Sequence, residues 1–247
     1  MTTLFVSDLH LSAARPTKLA TFLQFIACAR VSAQALYILG DLFEVWLGDD
    51  DDTPPNAEVV AALQALTRAG VALYVGHGNR DFLYGPRFAL ATGAQLLSDY
   101  AKIDLYGTST LLTHGDLLCT KDVKYQRFRR VVRHPFTQRV FLATPLAWRQ
   151  RIAHRTRAGT QASMQRKNDA IMDVDEQTVA NVMSEHSVAL LIHGHTHRPA
   201  VHEYPARASR RIVLGDWYEQ DSVLVCDENG QHPMRVSTYL HAPPHST

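Results

Sequence analysis

Ala35-Leu36-Tyr37-Ile38-Leu39-Gly40-Asp41-Leu42-Phe43-Glu44 is the stretch on which the reading of this chain turns. An apolar run ends at a glycine, and a carboxylate follows at once. The pattern predicts a buried strand that delivers Asp41 to the rim of a sheet, with Gly40 letting the backbone come close to whatever Asp41 holds. Four other apolar runs end in the same kind of residue. Residues 3–7 empty into Asp8-Leu9-His10, and residues 71–75 into Gly76-His77-Gly78-Asn79-Arg80-Asp81. Residues 109–113 end at His114-Gly115-Asp116, and residues 188–192 at His193-Gly194-His195-Thr196-His197. The five loops are expected to meet at one point.

Between the strands, residues 15–30 suit a helix with Leu19, Phe22, Leu23 and Ile26 on one face, and residues 57–68 suit a helix stopped by Gly70. Asp49-Asp50-Asp51-Asp52-Thr53-Pro54-Pro55 reads as a solvated turn. Residues 211–214 and 222–225 read as antiparallel partners around Gly215-Asp216-Trp217-Tyr218, and the tail from Ala242 as frayed.

A chain of 247 residues can bury a large core as one domain, or as one domain with an inserted cap. Apolar content of 46% and charged content of 20% exclude a disordered chain. Three widely spaced cysteines argue against a disulfide framework or a zinc knuckle. No basic or apolar leader opens the sequence, so no signal peptide is expected, and no apolar stretch reaches the roughly 20 residues of a membrane span.

The net charge of +1 conceals an asymmetry. Residues 121–167 hold 13 of the 25 Lys and Arg and one acid, Asp122, a net of +12 against −11 for the remainder. Such a segment points to a local anionic partner. Phe128, Val131, Val132, Phe136, Val140, Phe141, Leu142, Leu146 and Trp148 interleave with its arginines, in a pattern that reads as buried. That argues against an aromatic stacking platform, so no nucleic acid is expected as partner. Arginines beside large apolar side chains suit a lipid with phosphates, and an anionic membrane surface. Residues 120–170 are read as a helical insertion over the sheet rim, within a single domain of residues 1–247.

The five loops offer Asp8, His10, Asp41, Asn79, His114, His195 and His197. Mixed oxygen and imidazole donors suit borderline divalent ions rather than thiolate or all-oxygen sites. Seven are too many for one catalytic ion, which keeps an open position, and about right for two sharing a carboxylate. Two ions roughly 3.5–4 Å apart stabilise the entering and leaving oxygens of an in-line phosphoryl displacement and acidify a water between them. His77, His193 and His202 lack this joint support and read as structural or as supports behind the ligands.

The set resembles the calcineurin-like metallophosphoesterase family, whose pattern runs Asp-x-His, Gly-Asp, Gly-Asn-His, a later His, and Gly-His-x-His. The resemblance implies an α/β fold, a four-layer α/β/β/α sandwich with a helical cap at 120–170. It implies that Asp8, His10, Asp41 and His197 hold one ion and that Asp41, Asn79, His114 and His195 hold the other. Arg80 stands where many members carry a histidine. A guanidinium is a poor proton donor but suits clamping phosphate oxygens, which leans towards a diphosphate, whose leaving group needs little protonation.

With Arg80, the segments 41–50, 78–83, 112–116 and 170–174 are similar to one branch of the family, which hydrolyses UDP-2,3-diacylglucosamine to a sugar 1-phosphate and UMP in lipid A synthesis. That branch implies manganese (Mn2+) as the metal, a peripheral place at the cytoplasmic face of the bacterial inner membrane, and substrate contacts from Asn79, Arg80, Asp122, Thr160, Lys167 and His195. Thr160 stands where a serine is usual, and Met164 where a polar residue is. A monomer is expected. The alternative substrate is a soluble nucleotide or phosphodiester, whose cleavage would be indifferent to truncating 120–170.

Overall fold

The computed structural model describes residues 2–164 and 173–241, without the side chains of residues 157–164. Lys167, the side chains of Thr160 and Met164, residues 170–172 and the tail from Ala242 lie outside the described residues. Strands and helices are numbered in chain order. Six strands form one sheet in the order β11 (Gly230–Arg235), β10 (Ser222–Asp227), β1 (Thr2–Val6), β2 (Ala33–Ile38), β3 (Ala72–Val75) and β4 (Gln95–Leu96). Five form the other: β5 (Ala101–Leu105), β6 (Thr108–Leu112), β7 (Leu190–His193), β9 (Ser209–Val213) and β8 (Ala200–Tyr204).

β1 to β4 run parallel, joined by α1 (Pro16–Ser32), α2 (Asn56–Arg68) and α3 (Pro86–Thr92). β6, β7 and β9 run parallel in the second sheet. Side-chain alternation along each strand builds the layers. Leu4 and Val6 share a core with Phe22 and Phe25 of α1 and with Val59 and Leu63 of α2. Phe5 between them faces the other way, into a core with Leu190 and Ile192 of β7. Leu191, on the far face of β7, packs with Val179 and Met183 of α7 (Glu176–Glu185). Each such buried side chain contributes on the order of 1.5–3 kcal/mol. The result is the expected α/β/β/α sandwich, and its parallel strands all end at one rim, where open α/β sheets place their ligands.

One expectation is overturned and another holds only in part. β9 and β10 are not partners: β9 pairs with β7 and β8 in the second sheet, and β10 with β1 and β11 in the first. Residues 215–218 therefore cross between sheets, and Trp217 N–H donates to the Asp8 carbonyl at 3.0 Å. The acidic loop is a solvated turn only in part: Asp52, Thr53 and Pro54 are exposed, but the other aspartates have structural partners or are buried. Asp49 accepts from the N–H groups of Gly85, Arg87 and Phe88 at 3.0, 3.0 and 3.1 Å, and so caps α3. Asp50 pairs with Arg149, and Asp51 is buried.

The basic segment forms α4 (Val123–Val132), α5 (Pro135–Leu142) and α6 (Leu146–Met164). Its large apolar side chains do not read as the sequence suggests. Phe136 is 70% exposed and Trp148 61%, with Phe128, Val131, Val140 and Leu142 exposed as well. Arg149, by contrast, is 1% exposed. The case against stacking aromatics loses its premise; what these helices present outward is an apolar surface set among arginines.

Candidate metal centre

The loops after β1, β2, β3, β6 and β7 do meet. On one side His197 Nε2 lies 3.3 Å from Asp8 Oδ1, and His10 Nε2 lies 3.9 Å from that oxygen and 3.6 Å from Asp41 Oδ2. On the other, Asn79 Oδ1 lies 3.1 Å from both His114 Nε2 and His195 Nδ1. Those two ring nitrogens are 3.2 Å apart, and His114 Nε2 is 3.9 Å from Asp41 Oδ1. Asp41 thus turns one oxygen to each group. All seven residues expected to share the site are brought together.

Local backbone shape makes this possible. Asp8, His10, Asp41, His195 and His197 adopt φ of 56°, 48°, 52°, 70° and 55°. This left-handed conformation costs roughly 1–2 kcal/mol for an L-residue, and it persists only where surrounding structure enforces it, commonly at functional sites. Here neighbouring loops enforce it: His10 N–H donates to the Asp41 carbonyl and Leu11 N–H to the Leu42 carbonyl, each at 2.9 Å. Gly40, at φ +92°, is needed for close approach, since a Cβ there would sit 2.6 Å from the Gly78 backbone. A Cβ on Gly78 would sit 2.0 Å from Asp41 Oδ1.

The imidazoles are oriented from behind. His114 Nδ1–H donates to the Leu39 carbonyl at 2.9 Å, leaving Nε2 for the centre. His10 Nδ1 faces Glu44 Oε2 and His197 Nδ1 faces Asp216 Oδ2, each at 3.5 Å. Carboxylates and carbonyls behind histidines are the usual supports of metal ligands. Glu44 also accepts from Tyr218 O–H at 2.5 Å.

Burial first, then the His197 and Arg80 charges, pushes His10 down to about 3 against the pull of Asp8. Burial and the His114 charge push His195 down to about 4. Both rings are neutral donors at neutral pH. Burial drives Asp41 up to about 7, helped by Asp81 and Asp8 and opposed by His114. Burial also opposes the charging of His114, but Asp41, Asp8 and Asp116 outweigh it and raise its pKa. A field that raises a buried histidine attracts a divalent cation as it attracts a proton. Among the described residues, both His10 ring nitrogens are buried without a hydrogen-bond partner. Asp8, His10 and His197 form one group able to hold an ion, and Asp8, Asp41 and His114 another. The donors present fit two divalent cations.

Two of the expected substrate residues make contacts of different kinds, Arg80 with the centre and Asp122 with the start of α4. Arg80 N–H donates to Asp41 Oδ1 at 2.8 Å, and its Nε is buried with no hydrogen-bond partner among the described residues. Asp122 Oδ1 accepts from Tyr125 N–H at 3.1 Å and caps α4. His77, His193 and His202 stay outside the cluster; His193 is buried, its Nε2 3.4 Å from Arg211 Nη1.

Asp81, which nothing in the sequence sets apart, proves central. Its carboxylate accepts from the N–H groups of Asp41, Phe43 and Gly78 at 3.1, 3.2 and 3.0 Å, and from Tyr84 O–H at 2.5 Å. Three orphaned buried N–H groups cost about 1–3 kcal/mol each. Asp81→Ala is therefore expected to lose about 3 kcal/mol or more in urea denaturation, and to lower turnover as the Asp41 and Asn79 loops lose their common anchor. Wild-type stability in that variant would count against the anchor role.

A two-sheet sandwich with a rim of paired carboxylates, imidazoles and one amide defines a metal-dependent phosphoesterase architecture. The Calcineurin-like phosphoesterase family profile matches residues 1–199, and the chain belongs to that family. It is 53% identical over 226 residues to the UDP-2,3-diacylglucosamine hydrolase of Serratia proteamaculans (strain 568), covering 91% of this chain and 94% of that protein. It is 50% identical over 228 residues to the UDP-2,3-diacylglucosamine hydrolase of Aeromonas hydrophila subsp. hydrophila, covering 92% and 95%.

Proposed function

We propose that the chain hydrolyses the diphosphate of UDP-2,3-diacylglucosamine, giving 2,3-diacylglucosamine 1-phosphate and UMP in lipid A synthesis. The observation that carries this reading is the convergence of Asn79, His114 and His195 within 3.2 Å on one side of Asp41, with Asp8, His10 and His197 on the other. The identity with the Serratia and Aeromonas hydrolases over nine-tenths of the chain supports the substrate.

Asp8, His10, Asp41 and His197 would hold one cation, and Asp41, Asn79, His114 and His195 the second, with Asp41 shared. When bound, two divalent cations supply Lewis acidity to phosphoryl oxygens and acidify a water, the requirements of in-line displacement at phosphorus. The rest falls to the chain. Arg80 neutralises the charge that builds on the transferring phosphoryl group, and its unpaired Nε leaves it capacity to do so. Asn79, Arg80, Asp122, Thr160, Lys167 and His195 are the proposed substrate contacts. Helices α4 to α6 serve as a cap inserted in a single domain, their exposed apolar side chains taking acyl chains and, with the surrounding arginines, a membrane of anionic lipid. Among the described residues no helix is long and apolar enough to cross a membrane. We place the protein, as a monomer loaded with Mn2+, at the cytoplasmic face of the inner membrane.

The deciding experiment incubates purified protein with UDP-2,3-diacylglucosamine, untreated, after chelation, and after chelation followed by Mn2+. The expected result is release of UMP that chelation abolishes and Mn2+ restores. Turnover indifferent to the chelator would reject the metal centre, and activity confined to soluble phosphodiesters would reject the substrate.

A further inference from the structure

α4 turns its polar side inward. Tyr125 and Arg129, followed by Arg133 at the helix C-cap, recur at four-residue spacing and so lie on one face. Phe128 and Val131 on the rest of the helix are exposed. The three inward residues gather around Asp116, a buried carboxylate in the loop after β6. Tyr125 O–H and Arg129 Nε–H each donate to Asp116 Oδ2 at 2.7 Å, and Arg133 Nη2 lies 3.7 Å from the same oxygen.

Arg133 reaches further than the other two. Its Nη2–H donates to the Gly78 carbonyl at 2.7 Å and its Nη1–H to Asp99 Oδ1 at 3.1 Å. Gly78 is buried and has no side chain of its own to hold it, so its hydrogen bonds set its placement. The N–H goes to Asp81 at 3.0 Å and the carbonyl to Arg133. That carbonyl belongs to the peptide unit leading directly into Asn79. We infer that Arg133 is a positioning residue for Asn79: by fixing the Gly78–Asn79 peptide it sets the amide oxygen between His114 and His195, and with it the affinity of the cation position those three share. In this role Arg133 acts through that peptide and is not itself a ligand.

The arrangement makes the effect local. Without Arg133, Asp116 keeps Tyr125 and Arg129, and Asp99 keeps Arg129 Nη2 at 2.9 Å. What is lost is the partner of the Gly78 carbonyl at 2.7 Å, together with a longer contact to the His77 carbonyl at 3.4 Å in the same loop. A lysine restores the charge without the fork that spans the carbonyl and Asp99 together.

The inference rests on Asn79 as a ligand, so Asn79→Ala is measured alongside. Mn2+ is titrated calorimetrically into metal-free wild type, Arg133→Ala, Arg133→Lys and, as a control, Arg130→Ala, an exposed neighbour on α4. In Arg133→Ala the first ion is expected to bind as in wild type and the second about 10- to 100-fold more weakly, the range typical for removing a support of a metal ligand. Arg133→Lys is expected to fall between, and Arg130→Ala to match wild type. Equal weakening of both ions, or an unchanged second ion, overturns the positioning role. Should Arg133→Ala fail to fold, Arg133→Lys decides: wild-type affinity at the second position overturns it. Two unweakened ions in Asn79→Ala would bring down the ligand reading itself, and this inference with it. A weakened second ion in Asn79→Ala with none in Arg133→Ala would bring down this inference alone.

Discussion

Asp41→Asn is expected to lose turnover on UDP-2,3-diacylglucosamine by on the order of 10³-fold or more, and to lose tight binding of both cations together. Lewis-acid stabilisation by bound metal is worth several kcal/mol, and each 1.36 kcal/mol is tenfold in rate. The asparagine is chosen because it keeps the shape and the oxygen that accepts from Arg80 N–H. The loop is therefore preserved while the charge of the carboxylate that turns one oxygen to His10 and the other to His114 is removed. Stability should move the other way. Burial raises the Asp41 carboxyl to about 7, so in the metal-free protein the folded state resists its ionisation. A carboxyl of that kind holds its proton in the folded state but loses it near pH 4 in the unfolded chain, so the metal-free fold weakens as pH rises towards 7 and stays weakened above it. An asparagine carries no such penalty. Metal-free Asp41→Asn is thus expected to melt no lower than metal-free wild type at pH 8, while gaining little from added Mn2+. Calorimetry with and without Mn2+, beside a turnover assay, reads both effects. Near-normal turnover, or two ions bound at wild-type affinity, would remove Asp41 from its place between the groups.

The rim of the sandwich was legible because its signal is local. In residues 35–44, an apolar run, a glycine and a carboxylate follow one another without interruption, and the same switch recurs before His10, Asn79, His114 and His195. A strand that stops where a polar donor starts needs no knowledge of the rest of the chain. Convergence then follows from parallel strands ending at a common edge. Pairing between strands is a different matter. Nothing in residues 211–214 or 222–225 distinguishes a hairpin from two strands bound to different sheets, because each is a polar residue followed by three apolar ones. The crossover shows only in the pairings, β9 with β7 and β8 and β10 with β1 and β11.

Polar side chains that act at long range were equally opaque. Asp49 caps a helix that begins 37 residues later, and Asp81 gathers three backbone donors from two loops. Both look like ordinary turn aspartates in the sequence. α4 inverts the usual rule: its apolar residues suggest core, but Tyr125, Arg129 and Arg133 occupy the inner face because a buried carboxylate, Asp116, and the Gly78 carbonyl await them there. The exposed Phe128 and Val131 are the consequence. An amphipathic pattern gives the two faces of a helix, but which one turns inward depends on what the neighbouring loops bury.

Arg80→Ala is expected to lower turnover about 10²- to 10³-fold, the usual cost of deleting one donor to developing charge, while leaving both cations bound. The separation rests on which atoms of Arg80 do what. Its backbone serves the fold: the N–H donates to Asp41 Oδ1 and the carbonyl accepts from Trp46 N–H at 3.2 Å. Its side chain has no such duty, since Nε makes no hydrogen bond among the described residues despite being buried. Truncation at Cβ therefore spares the loop's backbone hydrogen bonds and removes the guanidinium with its methylene stem. It also removes a positive charge that helps push His10 down, which leaves that ring no poorer a member of its group. Arg80→Lys should recover part of the rate, since an ammonium supplies charge but cannot engage two phosphate oxygens in one plane. Steady-state kinetics with Mn2+ titration of each variant tests this. Loss of metal from Arg80→Ala would make the residue structural, and a full recovery of rate in Arg80→Lys would show that charge alone, without the planar fork, is what the reaction requires.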